Sequence, residues 1–92
     1  MQKFGEKDLN EVLKKFENAE KVEIEFENNL SGSIFIKNAK IKYDEKYGFI
    51  NIEGIDVKLK INTTLVYKYI DESEGIKIIL DTLTINIKKN KY

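Results

Sequence analysis

The sequence predicts an α+β fold: one N-terminal helix followed by a five-stranded, strongly bent antiparallel meander, forming an open sheet or a small barrel. Two observations predict it. Apolar residues recur with a helical period only near the start. From Lys21 onward they alternate with polar ones, and Gly, Asn, Asp and Glu cluster where the chain must reverse.

Leu9, Val12, Leu13 and Phe16 stand at i, i+3, i+4 and i+7, and Lys14, Lys15 and Glu17 fill the opposite side. Asp8 is placed to cap this helix, with Glu11 at the capping-box offset, and Asn18 to end it. A helix over roughly Leu9 to Asn18 is too short to persist alone in water, so packing must hold it.

Val22, Ile24 and Phe26 alternate with Glu23, Glu25 and Glu27, an acidic row of the kind that discourages pairing at a sheet edge. A loop from Asn28 to Gly32 sets Phe26 opposite Ile34 and Ile24 opposite Ile36. The alternation slips at Lys37 and Asn38, which reads as a β-bulge, and resumes at Ala39, Ile41 and Tyr43. A turn from Asp44 to Tyr47 sets Tyr43 against Gly48 and Ile41 against Ile50. Glu53 and Gly54 fit a two-residue hairpin that pairs Ile52 with Ile55 and Ile50 with Val57.

The fourth strand keeps one phase through Val57, Leu59, Ile61, Thr63, Leu65, Tyr67 and Tyr69. A turn from Asp71 to Glu74 with Gly75 pairs Tyr69 with Ile76, Tyr67 with Ile78 and Leu65 with Leu80. A second slip near Asp81 and Thr82 returns Leu83, Ile85 and Ile87 to the same face. A straight strand of about fifteen residues would span about 50 Å, some four times the radius of about 12 Å of a domain this small. The long strands must therefore coil, and the bulges supply the bends.

The expected interior is Ile24, Phe26, Ile34, Ile36, Ile41, Ile50, Ile52, Val57, Leu59, Leu65, Tyr67, Ile78 and Ile85. The 92 residues make one domain, with 1–6 and 89–92 expected to fray. One helix and five meandering strands resembles the architecture of the small Sm-like barrels. The resemblance is one of architecture: that family's first motif sets the Asn of a Met/Phe-Asn pair a few residues after an Asp, whereas Asp44 and Asn51 are seven apart with Gly48 between.

Composition excludes more chemistry than it suggests. There is no Cys, His, Pro, Trp or Arg, which removes disulfide scaffolds, thiolate or imidazole metal sites, Ser-His dyads and histidine switches. Sixteen Lys balance sixteen Asp plus Glu, so no global field draws the chain to nucleic acid or an anionic membrane. Met1 to Gly5 lacks the apolar core of a signal peptide and no apolar run exceeds three residues, so a cytoplasmic protein with no membrane partner is expected. Lys, Ile, Asn and Tyr make 44 of 92 residues, a bias with AT-rich codons that fits a low-GC bacterium or phage.

Neither the acidic turn of Asp71, Glu72 and Glu74 nor the pair Asp44 and Glu45 has EF-hand spacing, so no metal or other cofactor is expected. Ser31, Ser33 and Ser73 have no base, and Gly32, Gly48, Gly54 and Gly75 are isolated turn glycines. An enzyme is not expected. The predicted function is a small non-enzymatic module that presents a β-surface for homo-oligomerisation, as a dimer, and for a partner protein, in the manner of a bacterial or phage inhibitor or accessory protein. Its predicted interface is an outward cluster of Val66, Ile70 and Ile79, with Val66 opposite Ile79. The alternative is weak single-stranded nucleic-acid binding on another outward patch. There Phe49 is flanked by Lys42 and Lys58, with Lys40, Asn51 and Lys60 close by, so that a base stacks on the ring and ammonium groups hold phosphates.

Overall fold

The computed structural model describes residues 2–4, 9–17, 19–28 and 31–90. Helix α1 (Leu9–Leu13) tightens into a 3-10 turn at Lys14–Phe16, closed by Glu17 N–H donating to the Lys14 carbonyl at 3.1 Å. Leu9, Leu13 and Phe16 are buried, as the helical period requires. The expected cap and stop residues, Asp8 and Asn18, lie outside the described residues.

The described strands are β1 (Gln2–Phe4), β2 (Lys21–Glu27), β3 (Ser31–Lys37), β4 (Lys40–Asp44), β5 (Phe49–Glu53), β6 (Lys58–Asn62), β7 (Val66–Glu72), β8 (Gly75–Leu80) and β9 (Thr84–Asn90). They form two antiparallel sheets: β1-β7-β8-β9-β2-β3 and β4-β5-β6. Both are open, so the fold is mostly β with one short helix and is not a barrel. The five-stranded meander is corrected by three breaks in what alternation reads as continuous strands. Asn38 takes a left-handed conformation (φ 52°), which Asn tolerates better than most residues, and turns the chain from the large sheet into the small one. The Asn62 side chain accepts from the Thr64 N–H (3.0 Å) and hydroxyl (2.8 Å), ending β6 in a 3-10 turn at Thr63–Leu65 that returns the chain to the large sheet. At Asp81 and Thr82 the chain reverses fully, with Leu80 N–H donating to the Leu83 carbonyl at 2.8 Å.

These breaks shift registers. Tyr43 pairs with Ile50 and Ile41 with Ile52, while Ile52 pairs with Leu59 and Ile50 with Ile61 across a longer loop. Ile55 and Val57 are therefore exposed in that loop rather than facing the core. The large sheet pairs Phe26 with Gly32, Ile24 with Ile34, and Tyr69 with Ile78. A β-bulge between Val66 and Lys68 inverts the facing of the residues before it: Val66 pairs with Leu80 and packs on the core. Leu65 and Tyr67, expected inside, are 63% and 79% exposed. Ile34 is also exposed, because β3 is an edge. The rest of the expected interior holds: Ile24, Ile36, Ile50, Ile52, Ile78 and Ile85 are buried, and Phe26, Ile41 and Leu59 pack against them.

Strand β2 is interior, between β9 and β3, so Glu23, Glu25 and Glu27 do not guard an edge. They line the outer face, where Glu25 accepts from Lys88 at 2.9 Å. Of the ends expected to fray, Gln2–Phe4 pair with β7 and Lys89 and Asn90 with β2, while residues 1, 5, 6, 91 and 92 lie outside the described residues. The helix packs against β4, and Lys15 Nζ fastens it to the β7–β8 hairpin, donating to the Asp71 carboxylate and to the Glu72 and Gly75 carbonyls. One core joins both sheets and the helix. The helix sits at the β4 flank of the space between the sheets, and among the described residues none of its side chains lines the β6 flank.

Candidate functional site

The small sheet gathers the residues proposed for nucleic acid. Strands β4, β5 and β6 turn Ile41, Ile50, Ile52, Leu59 and Ile61 toward the core. Strict alternation then sends Lys40, Lys42, Phe49, Asn51, Lys58 and Lys60 to the opposite face. Their arrangement differs from the expected one. Asn51, not Phe49, stands between Lys42 and Lys60, and Phe49 pairs with Asp44 and Asn62. Phe49 is half-buried, and Lys60 Nζ lies 5.6 Å from its ring centroid, a cation–π contact that occupies the ring. Glu53 sits between Lys40 and Lys58, and a shallow depression of about 280 Å³ lies among Lys40, Lys42, Asn51 and Glu53.

The Val66, Ile70 and Ile79 cluster does not form one surface. Val66 points inward beyond the bulge, Ile70 is buried, and Ile79, opposite Lys68, is half-buried. Periodicity could not have shown this, because one unpaired residue at the bulge reverses the facing of everything before it.

Two features escaped the sequence reading. The first is the edge strand β3. Among the described residues it pairs only with β2, and it carries a single charge, Lys37, over seven residues. Ile34 and Phe35 are 36% and 53% exposed, and Lys21 Nζ lies 5.2 Å from the Phe35 ring. The other edges are less open to a second copy: β1 spans three residues, β4 packs against the helix, and β6 carries Lys58 and Lys60, which favour only a strand of opposite charge. Low charge beside a Ser-Gly-Ser stretch was the available signal, but it points to an edge only once β9 is known to take the other side of β2.

The second is an apolar groove of about 340 Å³ between the sheets. Leu59 and Ile61 of β6 with Leu65 form one wall, and Phe26, Leu80, Leu83 and Ile85 of the large sheet form the other. A further cleft, of about 370 Å³, lies between the helix and β4, with Leu13, Phe16 and Ile41 beneath Lys40 and Lys42.

The acidic turn is committed to structure, since Asp71 accepts from Lys15. Among the described residues no group of three or more acidic side chains converges as a metal site would require, and no helix is long and apolar enough to cross a membrane. The described residues form a small two-sheet β-protein with a lightly charged sheet edge at β3 and an apolar groove beside β6. Compared with protein-family models, curated proteins and solved structures, the chain matches none.

Proposed function

We propose that the protein is a non-enzymatic interaction module whose β3 edge pairs with a second copy of itself, joining two large sheets into one. The observation that supports this is the contrast between β3 and the other edges: seven residues with free ladder positions, one charge and an exposed Ile34 and Phe35. A second copy suits the strand. Antiparallel self-pairing places the Lys37 end of one strand against the Ser31 end of the other, so like charges do not oppose. The two copies then offer a continuous surface to a partner protein, as an inhibitor or accessory subunit would. Sedimentation of the wild type at rising concentration tests the reading: a monomer–dimer equilibrium is expected, and the Ile34→Lys/Phe35→Lys variant is expected to stay monomeric and folded. A wild type that sediments as a monomer at its highest attainable concentration refutes it.

A second reading, weak single-stranded nucleic-acid binding, is favoured by the convergence of four lysines, Asn51 and Phe49 on one sheet face. Two terms oppose it: Glu53 and Asp44 share that face, and a base must displace Lys60 before it can stack on Phe49. Titration with an oligonucleotide at low salt should show binding that Phe49→Ala weakens and that Lys42→Ala makes less salt-dependent. Binding untouched by both changes removes this reading and leaves the first.

A further inference from the structure

We propose that the groove beside β6 takes an extended segment of a different protein, which adds to β6 as a strand, placing apolar side chains in the groove and acidic ones outside. Among the described residues β6 pairs only with β5, and its other side presents unpaired backbone donors and acceptors. That same edge runs along the groove, with Leu59 and Ile61 facing in toward Phe26, Leu80 and Leu83 across the gap. An unpaired edge beside an apolar groove is the layout that strand addition needs: main-chain hydrogen bonds give affinity and pockets for alternate side chains give specificity. The volume, about 340 Å³, falls in the roughly 300–1,000 Å³ range of ligand pockets.

Charge selects the occupant. Lys58 and Lys60 alternate with Leu59 and Ile61 along β6, Lys60 at the rim of the groove, and an added strand would set its outward residues beside them. The complementary segment therefore alternates apolar and acidic residues. This chain contains such a segment in β2, Val22 to Glu27, but β2 is paired on both sides. The unguarded β3 edge has no acidic residue. A folded second copy can thus supply neither the pattern nor a free strand that carries it, and the occupant is another protein. The inference is independent of self-pairing at β3, which uses the far edge of the other sheet.

The test uses a fluorescent, end-blocked peptide with the sequence of residues 21–27, titrated with the full chain and read by anisotropy. Saturable binding is expected, with a loss of about fivefold to tenfold in the Lys58→Glu/Lys60→Glu variant. A peptide with proline in place of its central Ile should not bind, since proline removes a ladder donor. Leu65→Glu, a change at an exposed rim position, should weaken binding while leaving the circular dichroism spectrum intact. The Ile34→Lys/Phe35→Lys variant should bind the peptide as the wild type does. No saturation up to about 1 mM, or binding indifferent to the proline and to both lysine reversals, overturns the proposal. Capture of a fluorescent fatty acid without capture of the peptide overturns it as well, in favour of an acyl-chain site.

Discussion

Replacing Gly75 by Ala should destabilise the protein severely, whereas the same change at Gly32 should leave it unharmed or slightly more stable. Both glycines look alike in the sequence, each beside a turn. In the structure Gly75 opens β8 opposite Lys88, and an added Cβ would fall inside the van der Waals envelope of the Ile87 carbonyl oxygen, 3.1 Å from both the Ile87 carbonyl carbon and Lys88 Cα. The obstacle is backbone of an interior strand, so β8 and β9 must separate to admit the methyl. Overpacking costs about 1–3 kcal/mol, and a rigid obstacle places this case at the upper end, about 3 kcal/mol. At Gly32 nothing lies within 4 Å of the added methyl, and lost unfolded-state freedom should stabilise by about 0.4–1 kcal/mol. The two variants should thus differ by about 3–4 kcal/mol. With a urea slope of about 1–3 kcal/mol/M, that separates their unfolding midpoints by about 1–4 M. Gly75→Ala within about 0.5 kcal/mol of wild type, the range of an inert surface change, would refute the β8–β9 packing.

Ile24→Ala should cost about 2–5 kcal/mol, because the side chain is fully buried on interior strand β2. Leu65→Ala and Tyr67→Ala, at positions that alternation places inside, should each cost under about 0.5 kcal/mol in the same urea assay. Lys15→Met should cost about 1–3 kcal/mol and loosen the helix in hydrogen exchange, since three oxygens of the β7–β8 hairpin lose their common donor. The Glu25 carboxylate, by its hydrogen bond and then its charge, raises the Lys88 pKa above its ordinary 10.5. Its contribution is therefore complete below pH 10.5 and fades as pH rises through the higher folded value. A difference between wild type and Glu25→Gln in alkaline unfolding that grows with pH would contradict that sign.

Local periodicity and the residue types that are missing can be read directly from the primary sequence. The helical spacing from Leu9 to Phe16 selects a buried face, and alternation in Val22–Phe26 and Phe49–Ile52 sorts each strand's faces correctly, because both periods are properties of the backbone. The lysine face around Asn51 was legible for the same reason: alternation survives register errors of two residues in β4–β5 and four in β5–β6, because both are even, although the cross-strand neighbours do not. Where strands end and which neighbour each one finds depend on long-range packing and single-residue turns. Asn38, Asn62 and the reversal at Asp81 each turn the chain through contacts of one or two residues, too brief to disturb a pattern counted over ten. The pairing of β2 with β9 joins segments about sixty residues apart, set by the shared core and not by any local preference. That long-range pair makes β2 interior and leaves β3 as the exposed edge. The break at Asn62 sets β6 beside the groove, so both proposed interaction surfaces are consequences of topology.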